Sequence, residues 1–295
     1  MDIDVLGALD VRENGVSVAP TAPKPRQVLA LLAVHADRVV PVASLIEELW
    51  SARPPRSART TLQTYVLQLR ELIGAALARG GAPQPGAGPA GRTAKDVLVT
   101  LPGGYLLATG GGASDVREFD RLAGQGYRAM DAGDFAGASR TLTAALDLWS
   151  GSAFADVQTG AQLTMEARRL EESRLCALDQ RIEADLRLGR HREVLAELTV
   201  LTSRYRTHEN LHAQFMIALH RSGRRGEALN AYTHLRTTLS RDLGLEPSPR
   251  LRRLQHSILM ATPETPPAAP AVMAPAVPVR AAHHQDAGPR IAGSR

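Results

Sequence analysis

RSARTTLQTYVLQLRELIG, residues 56–74, is the stretch on which the fold turns. Pro54-Pro55 forces a non-helical loop just before it, and Ser57 can N-cap the helix that begins there. Ala58–Ile73 then places Ala58, Leu62, Tyr65, Val66, Leu69 and Ile73 on one stripe at helical spacing. The opposite face holds Thr60, Thr64, Leu67, Gln68 and Glu71, with Thr61, Gln63 and Arg70 at its flanks. A face kept only for solubility usually carries Glu and Lys. Thr, Gln and Arg are short or planar hydrogen-bonders suited to base edges and phosphates. The plain alternative is a packing helix with a solvated outer face.

Working outward, Ile3–Val18 reads as a β-hairpin, with Asn14-Gly15 supplying the turn between Val11 and Val16. Pro20, Pro23 and Pro25 interrupt the chain before a dense apolar helix at Arg26–His35. Val39-Val40-Pro41 leads into a second helix, Val42–Trp50. Beyond the quoted stretch, Gly80–Gly91 is a Gly/Pro/Ala-rich loop expected to be mobile. Val97–Leu101 and Tyr105–Ala108 flank Pro102-Gly103-Gly104 as a second hairpin. Hairpin, helix, helix, loop, helix, hairpin is the order of a winged helix-turn-helix, expected over residues 1–110.

Charge supports that reading. Of the 35 basic residues all but Lys24 and Lys95 are arginines, so the pI of about 9.8 reflects residue usage as much as any partner. Its distribution says more: Ala19–Gly112 carries ten basic residues against five acidic, and Ser51–Arg70 has four arginines and no acid. Phosphate attraction needs a local positive field of that kind.

Residues 113–260 are almost wholly helical in pattern and nearly balanced in charge. Gly133, Gly189 and Gly223 each precede a charged or small turn and a new helix, and the last two are 34 residues apart. That is the period of a tetratricopeptide (TPR) helix pair. Leu198, Leu201, Ala213, Ala218, Leu219, Ala228, Tyr232 and Leu235 would form the shared core. Residues 261–295 are Pro/Ala-rich and expected to be disordered. The fold class is therefore mainly α: an N-terminal winged helix-turn-helix (α+β) followed by an all-helical, TPR-like domain.

Other chemistry is poorly supported. The single cysteine, Cys176, rules out an internal disulfide and reads as a small core residue. There is no apolar run long enough for a membrane span and no basic region at the N-terminus, which places the chain in the cytoplasm, on the nucleoid. His208-Glu209-Asn210-Leu211-His212 matches the H-E-x-x-H zinc signature, yet it opens a helix inside the repeat, where Glu209 suits a helix N-terminus. Gly124-Gln-Gly126-Tyr-Arg-Ala129 imitates a nucleotide fingerprint but follows no strand, so a helix break is the simpler reading. Without any Gly-Lys pair there is no Walker A site. Neither a cofactor, a metal nor an enzymatic activity is expected.

RSARTTLQTYVLQLRELIG and TLPGGYLL, with DLWSG and later HRSGRRGEALNAYTHLRTTLSRDLGLEPSPRLRRLQ, closely resemble the Streptomyces antibiotic regulatory protein family over about residues 1–260. The final segment, ending in Leu-Gly-Leu-Glu-Pro-Ser-Pro before a last helix, is the most specific part. The resemblance implies an OmpR/PhoB-type winged helix followed by a bacterial transcriptional activator domain. It further implies double-stranded DNA with tandem direct repeats as target, a homodimer on that DNA, and activation of antibiotic biosynthetic genes through RNA polymerase. Carried over by position, Ala58–Gly74 is the recognition helix, Trp50–Arg56 faces polymerase, and Gly103-Gly104-Tyr105 is the wing. The expected DNA contacts are Arg53, Arg56, Arg59, Thr60, Thr61, Gln63, Thr64, Gln68, Arg70, Lys95, Gly104 and Tyr105. Leu67 stands where relatives often carry a basic residue, and the Gly80–Gly91 loop is longer than usual for the family. The receiver and ATPase modules of larger relatives have no counterpart, so phosphorylation or ATP has no visible seat. The rival reading is a TPR-type interaction scaffold whose winged helix does not bind DNA.

Overall fold

Asn14 and Gly15 both lie at positive φ, 50° and 76°, and close the hairpin between β2 (Asp10–Glu13) and β3 (Val16–Ser17). The chain, seen here as a computed structural model, is described over residues 1–80 and 92–261. Most of the 80–91 loop and of the 261–295 tail lies outside those residues. The first hairpin gains a third strand, β1 (Asp2–Asp4), paired antiparallel to β2 with Ile3 opposite Val11.

Three helices follow: α1 (Pro23–Val34), α2 (Val42–Trp50) and α3 (Ala58–Gly80). The last runs about two turns past the expected end at Ile73, because Ala76 remains buried against the same core. Thr93 begins the short α4 (Ala94–Val97), its N–H and hydroxyl both donating to the Asp96 carboxylate, at 2.8 and 2.7 Å. Val39–Pro41 is itself a strand, β4, pairing with β6 (Gly104–Leu107), which also pairs with β5 (Leu98–Leu101). The second hairpin is thus a three-stranded wing sheet in the order β4-β6-β5. Its turn is Pro102-Gly103: Pro presets φ and Gly103 takes φ +81°, as a type II turn requires.

The rest is helical: α5 (Asp115–Asp131), α6 (Phe135–Leu146), α7 (Ala161–Arg187), α8 (Leu195–Arg204), α9 (Glu209–Arg221), α10 (Arg225–Leu243) and α11 (Pro249–Met260). The three repeat glycines end α5, α7 and α9 at positive φ. At each, the residue after Gly donates its N–H to a carbonyl five positions back: Asp134 to Ala129, Arg190 to Asp185, Arg224 to Leu219. This Schellman closure satisfies the last carbonyls of a helix before the chain reverses.

Two readings need correction here. Gly124 and Gly126 do not break α5; a Cβ on Gly126 would stand 2.4 Å from Leu142 Cγ, so the glycine serves the close approach of α6. Cys176 is exposed on α7, since the neighbouring Leu175 and Ala177 take the buried positions.

One apolar cluster runs from Met1 through the winged helix into α5, α6 and α7, as far as Ala184. The expected shared core of the later helices is divided by α9. Leu211 and Ala218 pack with Leu198 and Ile182, while Ala213, Met216 and Leu219 pack with Ala228, Leu235 and Leu251.

Carboxylates bridge the expected junction at 110–113. Asp115 accepts the N–H groups of Val5 and Leu6, both at 2.6 Å, and Asp156 accepts that of Leu9 at 2.8 Å. Glu48, at 1% exposure, sends its carboxylate to the N-terminus of α7. There it accepts from the backbone of Gly160 (2.5 Å), Gln162 (2.9 Å) and Leu163 (3.0 Å), while Gln27 donates at 2.7 Å. A buried carboxylate is tolerated because its lone pairs are met by donors and by the positive end of a helix.

Candidate nucleic-acid interface

Helix α3 is held by one side. Leu62, Val66 and Leu69 are at 1–2% exposure and Ile73 at 0%, packed on a core that includes Leu29 and Leu45. Arg59, Thr60, Gln63, Thr64, Leu67, Gln68 and Glu71 are all exposed, and Thr61 is half-buried. Among these only Thr64 has a side-chain bond within the helix, to the carbonyl of Thr60 at 3.1 Å. The face that the sequence assigns to base edges is therefore open and anchored from behind, and among the described residues its side chains have no partner beyond that Thr64 bond.

The loop from Ser51 to Ser57 leads into this helix, with Ala58 N–H bonded to Pro55 and Thr61 N–H to Ser57. Arg53 and Arg56 are exposed on it. Among the described residues, neither they nor Arg59 on the first turn find an acceptor or a carboxylate for the guanidinium. Three unneutralised arginines thus flank the N-terminal end of the exposed face, and the first acid along α3 is Glu71. Lys95 is exposed on α4, likewise without an anionic partner among the described residues.

Three expected contacts are placed differently. Arg70 does not extend as a free cation. Its guanidinium donates to the Leu98 carbonyl at 2.7 and 3.1 Å and to Thr100 Oγ1 at 2.7 Å, tying α3 to β5. Gly104 and Tyr105 are buried rather than displayed. Strand β6 is the middle strand of the wing sheet, with Gly104 paired to both Pro41 and Leu101, and a Cβ there would meet the Val40 carbonyl at 2.5 Å. The exposed tip of the wing is Pro102-Gly103. Its signal in the sequence is the Pro-Gly pair, which fits the two central turn positions better than Gly-Gly does.

The H-E-x-x-H segment has structural partners. His208 Nδ1 accepts the Leu211 N–H at 3.3 Å as the cap of α9. Glu209 accepts the Ser248 N–H at 2.8 Å, pinning the start of α11. His212 is buried, with 4% exposure. Among the described residues no group of three or more potential ligands is disposed to hold a metal ion. No described helix is long and apolar enough to cross a membrane.

Residues 114–259 match the family described as bacterial transcriptional activator domain, and residues 17–80 match transcriptional regulatory protein, C terminal. Regulatory protein DnrI of Streptomyces peucetius is 54% identical over 89% of this chain and 93% of its own length. Transcriptional regulatory protein EmbR of Mycobacterium tuberculosis is 35% identical over 89% of this chain, which spans only 64% of EmbR. Regulatory protein AfsR of Streptomyces coelicolor is 36% identical over 88% of this chain and 24% of its own length. The solved structure of Mycobacterium tuberculosis EmbR, in complex with a low-affinity phosphopeptide, superposes with a TM-score of 0.76 at 35% identity over 88% of this chain.

Proposed function

The chain belongs to the Streptomyces antibiotic regulatory protein family of transcriptional activators, and from that premise we propose that it activates a secondary-metabolite gene cluster by binding tandem direct repeats in its promoters. The observation that carries this is the exposed face of α3, with Thr60, Gln63, Thr64 and Gln68 beside the unpaired Arg53, Arg56 and Arg59. The amides and hydroxyls read base edges in the major groove, and the arginines hold phosphates. Thr61 and Lys95 contribute at the flanks. Pro102-Gly103 rides on the backbone as the wing, supported by Gly104, Tyr105 and Arg70 from behind.

Direct repeats set two copies in the same orientation, so the pair on DNA meets head to tail, through different patches on each copy. The loop Trp50–Arg56 faces RNA polymerase. The protein works on the nucleoid, in the cytoplasm, without catalysis of its own.

The test is recovery of genomic fragments bound by the full chain, followed by measurement of their repeat spacing. Paired sites separated by about 10–10.5 base pairs, or multiples of that, are expected, because both copies must meet the same face of the duplex. Absence of enriched repeats, or binding with no dependence on salt, would favour the scaffold reading.

A further inference from the structure

A groove of about 500 Å³ opens between α8, α9 and α10. It lies in the helical domain and has no part in the DNA-reading surface. Phe215, Leu219 and Ala231 give it an apolar floor, and Arg206, His212 and Asn230 bring polar groups to it. Its size is that of a site for one drug-sized molecule, and so is the mixture of an apolar floor with few polar groups.

His212 is the anomaly. At 4% exposure it sits on the buried side of α9, yet neither ring nitrogen completes a hydrogen bond among the described residues. The carbonyls of Arg206 and Thr202 lie near enough to favour a proton on the ring without closing a bond. Burial, followed by the fields of His234 and His208, brings its pKa down to about 4. At neutral pH the ring is therefore uncharged, with one N–H to donate and one nitrogen to accept. An unsatisfied buried polar group is costly, and an aliphatic side chain would serve packing better at this position. Both ring nitrogens are themselves buried, so what the groove receives from His212 is an uncharged ring wall.

The charge balance selects the sign of that ligand. Glu227, the carboxylate of the groove, is held by Arg224 at 2.5 and 2.7 Å. Asp242 lies close enough to feel Arg206 but is itself bonded by Arg241 at 2.7 and 3.2 Å. Arg206 is exposed, and among the described residues its guanidinium has no hydrogen bond or ion pair. One positive charge is left over at the mouth of an apolar groove.

We propose that this groove is a binding site for a small organic anion. The acidic group rests on Arg206 and Asn230, and the apolar body on Phe215, Leu219, Ala231 and the uncharged His212 ring. The inference stands apart from the DNA-binding reading, because none of these residues belongs to the winged helix.

Two naphthyl dyes of one shape test it on the full chain: the sulfonate 8-anilino-1-naphthalenesulfonate and the uncharged N-phenyl-1-naphthylamine. Arg206 and Asn230 are both exposed, so Arg206→Ala and Asn230→Trp leave the fold intact, which the melting temperature verifies. The sulfonate should saturate at one site. Arg206→Ala should weaken it by about fivefold, the worth of an exposed ion pair near 1 kcal/mol, and leave the uncharged dye unaffected. Asn230→Trp, filling the mouth, should weaken both. Sulfonate binding that does not saturate, or that Asn230→Trp leaves unchanged, overturns the site. Equal loss of both dyes in Arg206→Ala, or no loss of either, overturns its preference for an anion.

Discussion

Gln68 and Leu69 are adjacent in sequence and stand on opposite sides of α3, one exposed and one at 1% exposure. Their truncations should fail differently. Gln68→Ala is expected to keep the melting temperature and lose about 1–3 kcal/mol of discrimination at one base pair. Leu69→Ala should cost about 2–5 kcal/mol of stability by opening a cavity, and weaken binding to every sequence alike. A thermal melt beside binding to an operator and its single-base variants reads both. The arginines divide in the same way. Neutralising Arg53, Arg56 and Arg59 should each lower the salt slope of log K by about 0.9. Arg70→Ala should leave that slope almost unchanged and lower the melting temperature instead, because its donors are spent on Leu98 and Thr100. The inward and outward positions of α3 were legible from spacing alone. The role of Arg70 was not, since a sequence shows a charge but not the carbonyl it meets 28 residues later.

Whole elements were readable where the signal was local. Asn14-Gly15 marked its own turn, and the glycines at 133, 189 and 223 marked three helix ends by a conformation that side chains resist. Gly223 takes φ +82°, whereas Gly226 lies in the first turn of α10, where an added methyl would meet nothing within 4 Å. Gly223→Ala should therefore cost about 1–2 kcal/mol in chemical denaturation, and Gly226→Ala should gain about 0.4–1 kcal/mol. Equal effects would mean that the turn after α9 is not built as described. Strand β4 was missed because its three residues gain their meaning from β6, far along the chain. The extension of α3 escaped for a similar reason: Ala76 carries little pattern of its own, and burial against a distant surface decides it.

At the scale of the molecule, carboxylates set the dependence on pH. Burial by itself would raise the pKa of Asp37, but the Arg117 guanidinium and the N–H and hydroxyl of Thr109 outweigh it and hold the group at about 2. A folded value below the ordinary 3.8 stabilises the fold above that pH, and the contribution is lost as pH falls from near 4 through 2. Asp37→Asn should flatten the acid side of a melting-temperature profile over that window and lower the melting temperature at neutral pH, where the contribution is fully present. Asp115 behaves oppositely: burial pushes its carboxyl up against the pull of the Leu6 and Val5 N–H groups. Glu48→Ala should cost about 1–3 kcal/mol, since it leaves buried N–H groups at the start of α7 without acceptors. None of these long pairings could be read from sequence, because each joins residues whose neighbourhood exists only after folding.

The cap that Glu48 places on α7 bears on how such regulators can be recombined. A winged helix cut away at the junction would carry off about two thirds of an apolar cluster and a carboxylate with no helix to meet. Grafting a foreign reading head onto these helices requires transplanting the seam with it: Glu48 and Gln27 opposite Gly160, Arg26 opposite Asp156, and the β1–β2 loop opposite Asp115. Retargeting by exchange of the outward residues of α3 leaves that seam untouched. The interchangeable part of this protein is one face of a helix.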